Sequence, residues 1–393
     1  MTHPRTESRR DAHHAPPATS LPRLLATADD PGFDAHFRQW GQMPAGGPLL
    51  IDEVDRAGLR GRGGASFPTA RKLAAVSQGG ATPVVVANGT EAEPLSLKDK
   101  TLLSSAPHLI LDGVSIAAET VGADQAIVCV ERSSPGTRVL RQALSERENV
   151  RADTVRINLE EVPSRYVAGE ESALVHWLNG GDAKPTFVPP RPFQRGVAGR
   201  PTLVNNVETL ANLALIARYG ADWFRSVGTA EDPGSALITI LGDVAHPGVY
   251  EFALGTPVQT ALRSAGVGPS AHAVLSGAYA GTWLPAGRAA NLTVDRASFS
   301  AANAALGCGS LFVHGSQYCG LATTARIAKW MASQSAGQCG PCAFGLPAVA
   351  DALAALAAGD PRGRWEGQLR RWLDVIPGRG ACHHPDGTVR MIR

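Results

Sequence analysis

Short apolar strand patterns alternate with helical patterns through the first half of this 393-residue chain, and no other feature constrains its fold as strongly. Strand patterns lie at 83–87, 126–130 and 154–159, and helical patterns lie near 106–121, 170–179 and 206–219. Parallel strands need crossover connections, so this alternation predicts a three-layer α/β domain with a mainly parallel sheet. We place that domain at residues 46–232.

The pattern changes near residue 235. The segment SALITILGDV reads as a strand, HPGVYEF as a turn and a short strand, and further short strands lie near 273–276 and 310–314 around a helix at 257–265. These features predict a small β-grasp (ubiquitin-like) domain at 233–318. After Cys319 the chain is rich in Ala and Leu, with helical patterns at 320–334, 341–357 and 364–375. We expect a helical bundle at 319–393.

Composition narrows the classes of function. The chain has 37 basic and 35 acidic residues, a net charge of +2. It therefore lacks the excess of positive charge that would predict binding to nucleic acid. No apolar run approaches the roughly 20 residues of a membrane span. The first 20 residues lack the apolar block of a signal peptide, and we expect a disordered tail at 1–45 and a cytoplasmic protein. In that compartment six cysteines indicate metal or redox chemistry.

A Gly-rich segment, GLRGRGGASFPTARK, covers residues 58–72. Glycines at 61, 63 and 64 leave backbone N–H groups bare, and such groups can cradle a phosphate beside the positive charges of Arg62 and Lys72. A helix beginning near residue 68 would favour the same anion. A plain strand-to-helix loop explains the glycines equally well. The spacing matches neither the dinucleotide fingerprint nor the P-loop.

This segment resembles the flavin loop of the FMN-carrying, NADH-oxidising flavoprotein subunit of respiratory complex I, which also occurs in related hydrogenases and formate dehydrogenases. Three further blocks agree in order and spacing: ANGTEAEPLSLKDK at 87–100, YVAGEESAL at 166–174 and GRPTLVNNVETLAN at 199–212. The resemblance runs from about residue 55 to the C-terminus. It implies a Rossmann-like FMN-binding domain, a β-grasp domain and a helical domain with an iron–sulfur site.

The resemblance also implies the residues of the cofactor site. They are Gly61, Arg62, Gly63, Gly64, Phe67, Lys72, Asn88, Glu91, Glu93, Gly169, Glu170, Glu171, Asn205 and Asn206. Glu93 is in addition the one candidate for a catalytic side chain, since the flavin carries the hydride chemistry. Other interpretations remain open for two pairs. Glu170 and Glu171 suit a helix start, and Asn205 and Asn206 suit a helix cap.

Departures from the family pattern concentrate on the side that grips NADH. Phe67 keeps one of the aromatic residues that hold adenine, whereas Ala75 and Arg191 stand where the family has two others. Thr90 replaces an aspartate and Ser66 replaces a glycine. Ring stacking contributes about 0.5–1.5 kcal/mol beyond area burial. We therefore expect a retained flavin scaffold and weak binding of NAD(P)H.

The cysteine segment SAGQCGPCAFG carries Cys339 and Cys342, and Cys382 follows in GRGACHHPDG. The family pattern is C-x-x-C-x-x-C with a distant fourth cysteine, and those four thiolates hold one [4Fe–4S] cluster. Here Ala336 occupies the first ligand position. Cys319 cannot replace it, because a helix at 320–334 would separate the two by about 20 Å.

Three interpretations of the cysteine site stay open. A [4Fe–4S] cluster forms on three thiolates, with water, Ser335, His383 or His384 at the fourth iron; or the site holds a [3Fe–4S] cluster; or it is empty and the cysteines only pack. The isolated Cys-x-x-Cys pair lacks both the frame of a thioredoxin and the second pair of a zinc tetrad.

The leading functional hypothesis is an NADH dehydrogenase (diaphorase)-type oxidoreductase. Electrons would pass from NAD(P)H to FMN, to the cluster, and to a ferredoxin-like or quinone-linked partner, with the chain peripheral to any membrane complex. One alternative is an electron relay that no longer oxidises NADH. Another is a non-catalytic scaffold that retains the fold. The sequence leaves the acceptor and the oligomeric state undetermined.

Overall fold

A computed structural model of the protein describes residues 20–360 and 363–393. Its first sheet has the strand order β3-β2-β1-β4, and every pairing in it is parallel. The strands are β1 (Val84–Gly89), β2 (Gln125–Glu131), β3 (Arg156–Val162) and β4 (Thr202–Asn206). The predicted α/β architecture with a parallel sheet is confirmed. Runs of buried valine build the central strands, as expected where both faces of a sheet are covered.

Helices cover both faces of this sheet. In chain order they are α1 (Phe33–Trp40), α2 (Leu49–Ala57), α3 (Thr69–Ser77), α4 (Lys98–Ser105), α5 (Pro107–Val121), α6 (Pro135–Val150), α7 (Glu171–Leu178) and α8 (Val207–Arg225). Helix α5 is almost wholly buried; Pro107 opens it and Gly122, with φ of 73°, ends it. It packs beside α8 in one hydrophobic core, while α7 contributes to a second core on the opposite face.

A second sheet, of five strands among the described residues, has the order β6-β5-β9-β7-β8. Strands β5 and β9 run parallel, and the remaining pairs are antiparallel. The elements are β5 (Ser235–Gly242), β6 (Gly248–Ala253), α9 (Val258–Ser264), β7 (Ala271–Ser276), β8 (Thr282–Pro285), α10 (Ala286–Ala290), α11 (Arg296–Ala301) and β9 (Ser310–Gly315). This part of the chain has a hydrophobic core of its own.

The C-terminal part is helical. It contains α12 (Gly320–Ser333), a π-helical turn (Pro341–Gly345), α13 (Leu346–Ala357), α14 (Arg364–Val375) and α15 (His384–Ile392). The sequence pattern missed α15, which rests on the five-stranded domain where Gly387 approaches Ala280. Within the described ranges no single helix has the length and apolar character of a membrane span, and α4 with α5, bent by 96°, passes that test only as a pair.

The prediction of a disordered tail at 1–45 is wrong for residues 20–45, and residues 1–19 lie outside the described ranges. Leu24 and Trp40 are buried in the main core. The carboxylate of Glu251 accepts hydrogen bonds from the backbone N–H groups of Arg23 and Leu24, both at 2.9 Å. Contacts with strands more than 200 residues away order this segment, and local sequence cannot reveal them.

A buried ionic network ties four helices together. Asp112 on α5 accepts from Arg147 on α6 at 2.8 Å, pairs with Arg218 on α8, and lies 2.9 Å from Nε2 of His36 on α1. Arg147 also pairs with Asp153 at 2.6 Å. Burial alone would raise the pKa of Asp112, but His36 and the two arginines outweigh it and hold that pKa well below its usual range.

We predict that Arg147→Met destabilises the protein by about 3–5 kcal/mol, because Asp112 loses one of its two buried arginines and Asp153 loses its ion-pair partner. The side chain of Arg147 is only 1% exposed. Arg141→Met on the same helix is the matched control: Arg141 is 63% exposed, and its pair with Glu161 should contribute about 0.2–1 kcal/mol. Urea unfolding of both variants measures the difference, and equal midpoints would contradict the prediction.

Candidate functional site

The strand order reverses between β1 and β4. Strands β2 and β3 lie on one side of β1 and β4 lies on the other. At the carboxyl ends, Asn88 pairs in register with Asn206 and Ala87 with Asn205. Open α/β sheets bind ligands in the crevice at such a reversal. Two sequence blocks that lie more than 100 residues apart therefore meet at one place, which we call the β1–β4 crevice.

The Gly-rich loop closes over this crevice. The backbone N–H of Gly61 donates to the Phe67 carbonyl at 2.9 Å, so residues 61–67 form a closed loop. A Cβ built on Gly63 would lie 3.4 Å from the Cβ of Asn206, which places the loop directly against β4. Gly64 has φ of +104°, a conformation that favours glycine. The loop therefore presents bare backbone at the strand ends, as the sequence predicted.

Polar side chains in the crevice lack partners within the described residues. Asn205 is 7% exposed, yet its Nδ2 donor has no hydrogen-bond partner there, and neither has the buried hydroxyl of Thr69 at the start of α3. An unmet buried donor costs about 1–3 kcal/mol. Lys72 adds a positive charge, with Nζ 2.7 Å from the Val204 carbonyl oxygen and 3.4 Å from Glu171. These groups suit an anionic, hydrogen-bond-accepting ligand.

Arg62 contributes backbone rather than side chain to this arrangement. Its N–H donates to the Thr209 hydroxyl at 2.9 Å, and its guanidinium turns toward the five-stranded domain, 3.1 Å from the Ser235 carbonyl oxygen. There it lines a cavity of about 300 Å³ together with Asp232 and Arg296. The sequence placed Arg62 in the loop correctly but could not reveal the direction of its side chain.

The carboxylate of Glu91 is hydrogen-bonded to the first turn of helix α4. Its buried carboxylate accepts from the backbone N–H groups of Asp99 and Lys100, at 3.1 and 2.9 Å. The Ser96 hydroxyl donates to it at 2.5 Å. Burial and then the charge of Asp99 raise the pKa of Glu91 to about 7. Glu91 thus closes the N-terminus of α4 from the strand side.

Lys98, which the sequence analysis did not single out, organises the floor of the crevice. Its Nζ lies 2.7 Å from Asp99, 3.0 Å from Glu208 and 3.2 Å from Oδ1 of Asn206. The Asn206 amide donates to Asp99 at 2.7 Å, and its oxygen accepts from the backbone N–H of Glu208, which caps α8. The capping interpretation of Asn206 is confirmed. A fully buried lysine beside two acids is a signal that only the fold reveals.

Glu93 lies where the three parts of the chain meet. It accepts from the backbone N–H of Leu95 and of Tyr279, both at 3.2 Å, and from the Tyr166 hydroxyl. Burial raises the pKa of Glu93 to about 7 against the opposing effect of these donors. The ring of Tyr166 stacks edge-on with Trp330 at 5.6 Å. Glu93 therefore joins the β1–β4 crevice to the other two parts.

The block at 166–174 provides a close approach and a cap. The carbonyl of Gly169 accepts from the Asn88 amide at 2.8 Å, and a Cβ on Gly169 would lie 2.7 Å from the Thr90 hydroxyl, so only glycine fits. Glu170 caps α7 by accepting from Ser172 N–H at 3.0 Å. The helix-start interpretation therefore holds for Glu170. Glu171 instead pairs with Lys72 at the mouth of the crevice.

Of the three positions where the family pattern has an aromatic residue to hold adenine, one carries an aromatic ring in this chain. Phe67 is 51% exposed beside the loop, which suits a stacking surface. Ser66 has φ of 50°, which explains why a glycine is expected there. Ala75 on α3 is partly buried, and Arg191 is exposed.

The three predicted cysteines come together at the end of the chain. The thiols of Cys339 and Cys342 are hydrogen-bonded to each other. Burial raises the pKa of Cys342 to about 12, and the neighbouring thiols of Cys339 and Cys382 add to this effect. The backbone N–H of His384 donates to the Cys382 thiol, and the charge of Glu170 also acts on this thiol. Cys319 lies at the opposite end of the 14-residue α12, about 20 Å away, as expected.

The donor set at these cysteines supplies three of the four thiolates of a cubane cluster. The described residues contain no group of three or more His, Cys, Asp or Glu side chains placed to hold one metal ion. A cluster binds each thiolate through a different iron atom, so its ligands need not converge on a single point. The three cysteines therefore suit three of the four iron atoms of a cubane cluster.

Comparison with known proteins gives two matches to family models. Residues 54–215 match the Nuo51 FMN-binding domain, and residues 322–393 match the NADH-ubiquinone oxidoreductase-F iron-sulfur binding region. The first contains the β1–β4 crevice and its loop. The second contains Ala336 and the three cysteines.

Relatives match over most of the chain. The NADH-quinone oxidoreductase component F 2 of Rhizobium meliloti is 30% identical over 359 residues, which is 88% of this chain and 85% of the relative. The corresponding component F of Streptomyces coelicolor is 32% identical over 362 residues, 87% of this chain and 79% of the relative. The crystal structure of an H2-reduced NAD+-reducing [NiFe]-hydrogenase has a TM-score of 0.84 and 31% identity over 95% of this chain. This chain spans 65% of the hydrogenase chain.

We predict that Glu93→Gln flattens the pH dependence of stability. The pKa of Glu93 is about 7 in the folded protein and near 4.5 ordinarily. Because folding raises it, the stabilisation linked to protonated Glu93 is fully present below pH 4.5 and is lost as pH rises through 7. The difference between urea midpoints taken at about pH 5 and 7.5 should therefore be smaller in the variant, and the part that remains is due to the similarly raised pKa of Glu91. Glu366→Gln, at an exposed site on α14, is the control and should keep the wild-type difference. An unchanged difference in the Glu93 variant would contradict the prediction.

Proposed function

Because this chain belongs to the family of F-type flavoproteins of NADH-quinone oxidoreductase, we propose that it is an FMN- and iron–sulfur-dependent electron-transfer oxidoreductase. It takes electrons from NAD(P)H and passes them through a cluster at Cys339, Cys342 and Cys382 to a ferredoxin-like or quinone-linked partner. One observation carries this proposal. The buried Asn205 amide is unpartnered at the end of β4, next to Asn206, which lies against the bare glycine loop at the strand reversal, inside the segment that matches the FMN-binding domain.

When bound, FMN accepts two electrons from a dinucleotide and releases them one at a time. The chain contributes binding and electrostatics. Asn205 supplies an amide donor, the backbone of Gly63 and Gly64 supplies N–H groups, and Lys72 supplies positive charge for a phosphate. Gly169 has no side chain, so it leaves space on the side of the crevice formed by the 166–174 block. Asn88 and Asn206 are held in hydrogen bonds to the protein, so we assign them the role of shaping the crevice.

We assign the glutamates of the site different roles according to the groups that they contact. Glu91 and Glu170 hold helix ends, which assigns them to positioning. Glu171 faces Lys72 at the crevice mouth and is the acid placed to accept from ribose hydroxyls. Glu93, with its raised pKa, could hold or release a proton near neutral pH where the crevice meets the other two parts of the chain. Phe67 supplies the exposed ring for adenine.

We also propose the division into a Rossmann-like domain at 46–232, a β-grasp domain at 233–318 and a helical domain at 319–393. The strand order β6-β5-β9-β7-β8, with its two central strands parallel, supports the β-grasp assignment. We also propose a cytoplasmic location, which is supported by six cysteines among the described residues that form no disulfide.

A relay that no longer oxidises NADH is the second candidate, and Ala75 and Arg191 favour it because they replace rings expected to stack on adenine. Adding NADH under anaerobic conditions distinguishes the two. Bleaching of flavin absorbance supports the oxidoreductase, and a stable yellow protein supports the relay. A folded protein that never binds flavin would indicate a scaffold.

We predict that Gly63→Val abolishes FMN binding. A Cβ at this position clears Asn206 at 3.4 Å, so the fold should tolerate it, but the branched side chain would occupy the space where backbone approaches the flavin. The measurement is the flavin-to-protein ratio after desalting, with circular dichroism to confirm folding. Gly80→Val is the matched control, since Gly80 has nothing within 4 Å and should keep the wild-type ratio. A folded Gly63 variant with stoichiometric FMN would refute the site.

We predict that restoring rings with Ala75→Phe and Arg191→Phe lowers the KM for NADH by about one to two orders of magnitude, since each ring contributes about 0.5–1.5 kcal/mol of stacking. Leucine at both positions adds apolar area without a π face and should lower the KM less. Steady-state diaphorase assays measure all three proteins. Equal effects of Phe and Leu would show that adenine does not stack between these positions.

A further inference from the structure

The cysteine site lacks a thiolate at Ala336, so the iron of a cubane at that corner needs another ligand. Ala336 lies three residues beyond the end of α12, in a partly exposed turn. Gly337 and Gly340 flank the same turn, and neither has an atom within 4 Å of its Cβ position. The two glycines therefore bring no replacement side chain to the corner.

Two of the neighbouring side chains are poorly suited to this role. His383 is 97% exposed, and its Nδ1 lies 3.2 Å from Asp386, so its ring is hydrated and already paired. Ser335 offers a hydroxyl, which is a weak ligand for iron until it loses its proton.

His384 has the features of a metal ligand. It is 7% exposed, and its Nε2 lies 2.9 Å from the Met331 carbonyl oxygen, in the last turn of α12. A carbonyl only accepts, so Nε2 carries the ring proton and Nδ1 presents a lone pair. That Nδ1 is buried and has no hydrogen-bond partner in the described part of the chain. Histidines that bind metals commonly donate their other ring N–H to a backbone carbonyl, which fixes the tautomer.

The backbone of His384 is also attached to the site. Its N–H donates to the Cys382 thiol, while its ring reaches the end of α12, the helix that leads to Ala336. The ring lies 5.3 Å from that of Tyr166, so packing holds it in place. His384 thus connects the fourth cysteine of the family pattern with the segment that lost the first one.

We propose that Nδ1 of His384 is the fourth protein ligand of the cluster, which makes the site Cys3His. This inference rests on the proposed function, because it requires that a cluster forms. A neutral imidazole in place of a thiolate removes one negative charge from the assembly. Replacing thiolates with histidines raises the reduction potential of iron–sulfur centres, so this cluster is a better electron acceptor than its four-cysteine counterpart.

The test is pulsed EPR of the full-length chain after anaerobic reconstitution with iron and sulfide and reduction by dithionite. We expect a hyperfine coupling from a directly bound nitrogen, and the coupling should change its pattern when the protein is made with ¹⁵N-histidine. His384→Leu should abolish the coupling. His383→Leu is the matched control on the neighbouring residue and should retain it. Ala336→Cys should also remove it, with a lower reduction potential, as a thiolate displaces the imidazole.

The outcomes separate this inference from the function on which it rests. A reduced cluster in the wild-type chain without histidine coupling would overturn the ligand assignment and leave the proposed function standing. Absence of iron and acid-labile sulfide after reconstitution would overturn the cluster itself. The isotope comparison in the wild-type chain decides the matter even if His384→Leu does not fold.

Discussion

The register between β1 and β4 is the constraint on which the rest of the structure depends. It sets Asn88 beside Asn206, and Asn206 against the glycine loop, at the point where the strand order reverses. Side chains alternate along a strand, so a slip of one residue would turn Asn206 away from both the loop and Asp99. The buried valines of β1 hold this register through packing on both faces. Hydrophobic burial, rather than any polar contact, therefore places the polar site.

With the register set, the site contains two buried carboxylates that need a positive partner, and Lys98 provides it. Its ammonium offsets the charges of Asp99 and Glu208, and the same cluster orients the amide of Asn206. Buried ion pairs add little net stability because desolvation opposes the attraction between the charges, but they exclude alternative arrangements. We interpret this cluster as a device for holding the crevice in one geometry. The network around Asp112 has the same role where it attaches α1 to α5 and α8.

Local sequence pattern predicted those parts of the fold that it encodes directly. A run of valines marks β1, the apolar segment AIVCV marks β2, and the glycines of the loop mark a place where backbone must approach something closely. The pattern did not predict α1, because the pairs that order it, His36 with Asp112 and Arg23 with distant groups, join residues far apart in the chain. For the same reason neither the direction of the Arg62 guanidinium nor the helix-capping role of Glu91 could be predicted. A motif identifies which residues gather at a site, whereas side-chain direction depends on neighbours from other elements.

The crevice and the cysteine site are joined by a short series of packed polar groups. Glu93 accepts from the Tyr166 hydroxyl, the Tyr166 ring lies against His384, and the His384 N–H donates to Cys382. Glu170, which caps α7 beside the crevice, also acts on Cys382 through its charge. A change of charge at either site is therefore felt at the other through buried groups that water screens poorly. With Ala336 in place of a thiolate, a cluster held by these cysteines would carry less negative charge and would accept an electron more readily.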